Sequence, residues 1–307
     1  MFSIFILTHN EELDIGPCIE SVLRSSAQIS QPCDEIVVVD SNSSDRTQQV
    51  VQHFIDQGHP VRFIPHAFES HGRQRTWMIR EVPTRHDWVY LLEADERFTP
   101  ELYQECLTTS ENPEHDGYFV AERVMFMGTW IKRSTQYPRY QMRLLHKEKV
   151  WFTDYGHTER EVCPGSSGFI KATYPHYTSG KGFDRWFDKH NTYSTNEAKE
   201  TIRQLAEGDV AWKDLVSRNE VDRRHALKNL SLRIPGRPLV RFLYMYFVLG
   251  GILDGRAGFA WCTLQAFYEY MIVLKAWEIQ HLPVPQFVMP EQTQPQPTKT
   301  PTTSGMQ

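Results

Sequence analysis

One design recurs three times in this 307-residue chain, and it constrains the fold more than any other feature: a short apolar run that stops abruptly at acids or hydroxyls. Trp88-Val89-Tyr90-Leu91-Leu92 ends in Glu93-Ala94-Asp95-Glu96, Ile36-Val37-Val38-Val39 ends in Asp40, and Phe2 through Leu7 ends in Thr8-His9-Asn10-Glu11-Glu12. Continuous apolar runs of this length, rich in β-branched and aromatic residues, are strands buried on both faces, as in parallel sheets layered between helices. The polar groups that close them then gather at the carboxyl edge, where such sheets bind ligands.

The intervening segments carry helical patterns. Ile15, Ile19, Val22 and Leu23 share one face of a helix over 15–25, with Asp14 placed to cap it. The polar turn from Ser41 to Thr47 opens a second helix that runs to about Gln57 and closes at Gly58. Val61–Ile64 is a short strand, 70–81 is a helix carrying Arg73, Gln74 and Arg75, and Thr99-Pro100-Glu101 starts another helix. The order is βαβαβαβ, and right-handed crossovers bring Thr8, Asp40 and Asp95 to one crevice. No G-x-G-x-x-G follows the first strand, so the usual dinucleotide fingerprint is missing. Glu93 and Asp95 stand two apart and project to one side of an extended backbone, a spacing that suits Mg2+ or Mn2+ bridging a pyrophosphate. The plainer alternative is a pair of acids that face water or cap the next helix.

Beyond Asp95 the pattern changes to longer strands over 117–127, 140–145 and 150–152, antiparallel or mixed, with Trp130, Tyr137, Arg139, Arg143 and Trp151 among or between them. Aromatics beside arginines form a platform for a polar ring or a phosphate, or a second core with a solvated rim. Asp154 to Arg160 reads as a polar loop holding His157 and two nearby carboxylates. Helices follow over 183–206 and 221–232. Two strongly apolar stretches, 239–253 and 257–277, are separated by Asp254-Gly255-Arg256, and a Pro-, Gln- and Thr-rich tail begins at Pro283. Between Arg203 and Arg241 there are nine Lys/Arg against five Asp/Glu. A basic stretch leading into an apolar hairpin fits a helical pair lying in an anionic membrane interface, with a buried pair packed on the main domain as the alternative.

A net charge of −5 argues against a nucleic-acid partner. The five cysteines are widely spaced and include no C-x-x-C, which predicts neither a disulfide framework nor a zinc site and implies a reducing cytoplasm. The apolar start, Met1 to Thr8, is too short for a signal peptide, and no uninterrupted run reaches the length of a spanning helix.

Taken together these pieces resemble a known family, the inverting family 2 glycosyltransferases of the GT-A fold, and within it the branch of lipopolysaccharide-core glucosyltransferases. The matching stretches are Ile6 to Glu12, Asp34 to Thr47, Gly72-Arg73-Gln74-Arg75, Asp87-Trp88 through Glu96-Arg97, Tyr137-Pro138 with Arg143-Leu144, and His190 to Ser194. The Asp254-Gly255 hairpin is similar to that branch's C-terminal end. The resemblance implies an α/β, Rossmann-like nucleotide-diphospho-sugar transferase domain, with a nucleotide-sugar half over 1–97 and an acceptor half over 98–182. A C-terminal helical, membrane-associated region over 183–282 and a disordered tail over 283–307 follow.

It also implies roles. Thr8, Asn10, Glu11, Asp40, Ser43, Asp45 and Gln74 would contact the nucleotide donor, with Asp40 accepting from the N3–H of uracil, and Asp95 would hold Mn2+ or Mg2+ on the diphosphate. The family's D-x-D is Glu93-Ala94-Asp95 here, which leaves Glu93 to ribose or water-mediated contacts. Its histidine-glutamate pair is interrupted as His157-Thr158-Glu159. Inversion needs a base across the crevice, for which Glu159 is first choice and Asp154 second. His157 is a metal ligand, and Arg73, or its neighbour Arg75, steadies the leaving diphosphate. The expected enzyme moves a hexose from a UDP-sugar to a saccharide or lipid-linked acceptor in cell-envelope glycan synthesis, working peripherally on the inner face of the cytoplasmic membrane. The alternatives are a polyprenyl-phosphate sugar transferase and a catalytically silent, membrane-associated nucleotide-sugar binder.

Overall fold

The apolar runs are buried as their composition demands. In the computed structural model, which describes residues 1–155, 158–178, 180, 182–207, 223, 234 and 236–282, they form the centre of one sheet. Its first half is β1 (Ser3–Thr8), α1 (Ile15–Gln28), β2 (Ile36–Asp40), α2 (Thr47–Asp56), β3 (Val61–Pro65), α3 (His71–Glu81), β4 (Trp88–Glu93) and α4 (Pro100–Glu111). The second half is β5 (Gly117–Phe126), β6 (Thr129–Trp130), β7 (Arg139–His146), the hairpin of β8 (Trp151–Tyr155) and β9 (Thr158–Val162), and β10 (Ser167–Tyr177). Strand order across the sheet is β10-β5-β7-β4-β1-β2-β3, with β6 on β5.

Odd and even residues of the central strands serve different cores. Ile4, Ile6, Ile36, Val38, Tyr90 and Leu92 pack with Ile15, Ile19 and Val22 of α1, while Phe5, Val37, Val39, Val89 and Leu91 pack with Met78 and Ile79 of α3. Each such side chain withdrawn from water contributes about 1.5–3 kcal/mol, which explains why both residue parities must be apolar. Register then sets the crevice: Thr8 pairs with Asp40 and Leu7 with Glu93, so the three strand ends lie side by side.

The second half extends the same sheet, β7 running antiparallel to β4 and β5, and β10 parallel to β5. Three features depart from expectation. The segment over 154–160 is mostly a β8–β9 ribbon rather than a loop, with Asp154 directly opposite Glu159. β10 has no counterpart in the sequence reading, because a register shift between Ile170 and Thr173 breaks the alternation that marks a strand. Asp14 also departs from its expected role: its side chain makes no cap bond to α1, and its carboxylate instead takes a 2.7 Å hydrogen bond from Arg97. Thr99 does cap α4, accepting from Leu102 N–H.

The C-terminal apolar stretch is not a simple hairpin. After α5 (Gly182–Glu207), helix α6 (Arg237–Leu243) passes into a π-helical turn over Tyr244–Val248 and a 3₁₀ turn over Gly251–Asp254, and then α7 runs from Gly255 to His281. Gly250 at φ +80° and Gly255 at φ +65° supply the left-handed backbone at the break, where the helical path bends by 71°. Helix α7 packs against Phe126 and Ile131 of the sheet domain through Ala257, Ala260, Trp261 and Leu264. Lys275 ties it to Asn191, Ser194 and Thr195 of α5. The basic helix over 221–232 and the tail from Pro283 lie, apart from Arg223, outside the described residues.

Candidate active site

The loops that leave β1 and β2 are laced into one wall. Asn10, in the left-handed region at φ +55°, donates its backbone N–H to Ser43 Oγ at 2.8 Å and accepts from Ser44 N–H through Oδ1 at 2.8 Å. Glu11 N–H reaches Thr47 Oγ1 at 2.8 Å, and Glu12 N–H reaches Asp45 Oδ2 at 3.1 Å. Burial pushes the Asp45 carboxyl up, but bonds from the Thr47 hydroxyl and backbone N–H groups outweigh it and hold the group low. Asp40 is buried and holds its own turn, accepting from Ser43 N–H at 2.8 Å and Ser43 Oγ at 2.5 Å. Gln74 is bonded to His66 Nδ1 at 2.9 Å and donates to Ser41 Oγ at 3.4 Å, and His66 in turn stacks on Trp77. The buried Thr8 hydroxyl, at the mouth of this wall, has no hydrogen-bond partner among the described residues. An orphaned hydroxyl at a sheet's carboxyl edge suits a polar ligand that brings the missing partner.

The acids of β4 face different surroundings. Glu93 accepts from Arg75 at 2.7 Å and from Arg143 at 3.3 Å, so both cations hold its carboxyl well below the usual range against the upward push of burial. Glutamate's extra methylene is therefore spent on two arginines. Glu96, fully buried, pairs with Arg143 and accepts from Glu93 N–H at 3.0 Å; burial beside Glu93 and Asp95 pushes its carboxyl up to about 8. Asp95 turns the other way, its Oδ2 lying 3.3 Å from Nε2 of His176.

His176 is the site residue that sequence reasoning missed. It sits on β10, whose parallel pairing with β5 carries it beside Glu122, and Nδ1 lies 3.0 Å from Glu122 Oε2. Burial alone would lower this imidazole's pKa, but Asp95 and Glu122 raise it well above the ordinary value. Its only sequence signal was an imidazole within the aromatic run Tyr174-Pro175-His176-Tyr177. His157 lies outside the described residues.

The remaining candidates are arranged around α3. Arg73 is exposed and pairs with Glu69 at 3.2 Å, whereas Arg75, two residues on and so about 200° around the helix, is buried between Glu93 and Glu159, 3.0 Å from the latter. Arg75 is thus the arginine that meets the crevice acids. Asp154 is occupied by the start of α3, accepting from Ser70 Oγ at 2.8 Å and Gly72 N–H at 2.9 Å, which lowers its carboxyl pKa. Glu159 faces the Arg75–Glu93 side of the ribbon, next to the strand ends.

Among the described residues no group of three or more His, Cys, Asp or Glu side chains is disposed to hold an ion. Asp95 and His176 form a two-donor set, one carboxylate and one imidazole at 3.3 Å. Adjacent ligands about 2.1 Å from one octahedral ion stand about 3 Å apart, so the spacing of this pair would suit a divalent cation.

The family model described as "Glycosyl transferase family 2" matches residues 3–173. The chain is similar to the lipopolysaccharide core biosynthesis glycosyltransferase LpsC of Rhizobium meliloti (strain 1021), 27% identical over 280 residues that cover 90% of this chain and 92% of the relative. It is also similar to an uncharacterized glycosyltransferase, RT0209, of Rickettsia typhi (strain ATCC VR-144 / Wilmington), 24% identical across 66% of this chain and 68% of that one. Among solved structures, the mannosyltransferase PcManGT from Pyrobaculum calidifontis, in complex with GDP-Man and Mn2+, aligns at 13% identity and a TM-score of 0.45, covering 90% of this chain and 86% of its own. Since the family match spans more than half of the 307 residues, from the first strand of the sheet into β10, the chain belongs to glycosyl transferase family 2 and is a glycosyltransferase.

Proposed function

We propose that this enzyme transfers a hexose, with inversion, from a nucleotide diphosphate sugar, in the first instance a UDP-sugar, to a saccharide or lipid-linked acceptor in lipopolysaccharide-core or related cell-envelope synthesis. The observation that carries the reading is the meeting of Asp95 and His176 3.3 Å apart at the edge where the β1 and β2 loops form a single wall. The acceptor class rests on the relative whose name places it in lipopolysaccharide core biosynthesis.

In this proposal residues 1–97 carry the donor and 98–182 the acceptor. Thr8, Asn10, Glu11, Ser43 and Asp45 form the nucleotide wall, and Asp40, whose oxygens each keep a second lone pair beyond the Ser43 bonds, accepts from the base N–H. Asp95 and His176 would hold Mn2+ or Mg2+, with imidazole favouring Mn2+ of the two. When bound, the cation would neutralise charge gathering on the departing diphosphate. Arg75 and Arg143 fix Glu93, and Arg75 also holds Glu159 at the same edge, from where its carboxylate takes the proton of the acceptor hydroxyl.

The helical region over 183–282 gives the enzyme a place on an anionic membrane surface, on the inner face of the cytoplasmic membrane. Among the described residues no single helix is long and apolar enough to cross a membrane, though the bent pair Arg237–Val248 and Gly251–His281 passes that test jointly. Support for peripheral attachment comes from the bend, where Phe247, Val248 and Leu253 are 58%, 73% and 67% exposed.

The test is release of nucleoside diphosphate from a panel of nucleotide sugars with and without Mn2+. Asp95→Asn should fold normally and lose about a thousandfold in metal-dependent rate, which corresponds to about 4 kcal/mol of transition-state stabilisation. A folded variant within tenfold of wild type would remove Asp95 from the proposal.

A further inference from the structure

We infer that Glu122 is a positioning residue: it holds His176 in the Nδ1–H tautomer and so presents Nε2, beside Asp95, as a cation ligand. The inference rests on the reading of Asp95 as the metal acid and extends it to a residue with no motif of its own.

Three strands converge to make this arrangement. In the sheet Glu122 of β5 is paired with Tyr174 of β10 on one side and with Arg139 of β7 on the other. Its carboxylate is buried, forms an ion pair with Arg139, and accepts from His176 Nδ1 at 3.0 Å. The Arg139 guanidinium beside it keeps this group a carboxylate acceptor. An ionised carboxylate can only accept, so the hydrogen on Nδ1 is fixed, and in the neutral ring the lone pair must lie on Nε2. That atom faces Asp95 Oδ2 at 3.3 Å. Two acceptors do not approach so closely without something positive between them. With Nδ1 donating to Glu122, the same two atoms would be free to receive a divalent cation between them. Ligating imidazoles generally donate their other N–H to a carboxylate, and loss of that partner typically weakens metal affinity 10–100-fold.

A purely structural Glu122 would serve Arg139 and the strands alone, and the two roles separate in a metal titration. Free Mn2+ measured by electron paramagnetic resonance on the full chain with UDP or GDP present should show Glu122→Gln binding Mn2+ about ten- to a hundredfold more weakly than wild type. Its nucleotide-sugar turnover should recover as Mn2+ is raised, and Glu122→Asp, which keeps the charge, should regain part of the affinity. Wild-type protein offers a measurement that needs no variant: nitrogen-edited spectra of the Mg2+-loaded enzyme should show His176 protonated at Nδ1. A folded Glu122→Gln variant with wild-type Mn2+ affinity, or a His176 protonated at Nε2 in the loaded enzyme, overturns the inference. Asp95→Asn, titrated alongside, should lose Mn2+ binding. If it binds like wild type, the metal reading itself fails, and that outcome is distinct from a failure of Glu122 alone.

Discussion

Gly72→Ala tests whether the β8–β9 ribbon is seated on α3 as described. A Cβ at position 72 would stand 2.5 Å from the Thr153 carbonyl carbon and 2.7 Å from Asp154 N, both backbone atoms that no rotamer change can move aside. Ordinary contact requires about 3.5 Å or more, so the ribbon must shift by about 1 Å. That shift stretches the 2.9 Å bond from Gly72 N–H to Asp154 beyond bonding range and strains the paired bonds of the Thr76 hydroxyl to Phe152, at 2.7 and 2.9 Å. Overpacking of this kind costs about 1–3 kcal/mol and one lost hydrogen bond about 1 kcal/mol, offset by roughly 0.5–1 kcal/mol for alanine's better helix propensity. The net loss is about 1–3 kcal/mol, or a Tm lower by several degrees at about 2–4 °C per kcal/mol. Activity should fall further than stability suggests. Glu159, the base of the proposed reaction, lies on the displaced ribbon directly opposite Asp154, and an error of about 1 Å in such a group can cost about 10²-fold. Urea unfolding gives the first quantity and initial rates of nucleoside diphosphate release give the second, with KM for the donor nearly unchanged. An alanine variant with wild-type stability and kcat would refute the close seating of the ribbon and, with it, the placement of Glu159.

Two further outcomes are expected. Glu159→Gln should lower kcat at least a hundredfold at nearly constant donor affinity, whereas Asp154→Asn, which weakens the clamp on α3, should cost about 1 kcal/mol of stability and leave most of kcat; the reverse pattern in paired kinetics would exchange their roles. The full chain should co-sediment with anionic liposomes at low salt, less so at high salt, and Phe247→Glu with Leu253→Glu should release it; protein that stays in the supernatant at low salt would show that the exposed bend meets something other than lipid.

The sheet's centre was legible because what specifies it is local. Apolar residues at both parities in β1, β2 and β4, and the turn chemistry after each, follow from neighbours a few residues apart, and right-handed crossovers then bring Thr8, Asp40 and the Glu93–Asp95 pair to one edge. What the chain could not announce depends on closure over long separations. Whether Arg73 or Arg75 faces the acids is a question of helix phase, decided by which side of α3 packs on Phe5, Val37 and Leu91. Glu93 in place of an aspartate is a chemical difference on paper, but it becomes a link to Arg75 and Arg143 only because α3 and β7 both deliver guanidinium groups to it. His176 needed most from the fold: a bulged strand that alternation does not reveal, pairing in parallel with β5, sets its imidazole between Asp95 and the carboxylate of Glu122, 54 residues away in the chain. After Arg237 the Gly250-Gly251 and Asp254-Gly255 pairs did mark the break in the sequence, but the apolar pattern hid the π turn over Tyr244–Val248, because composition records what a segment can bury and not how its backbone is wound.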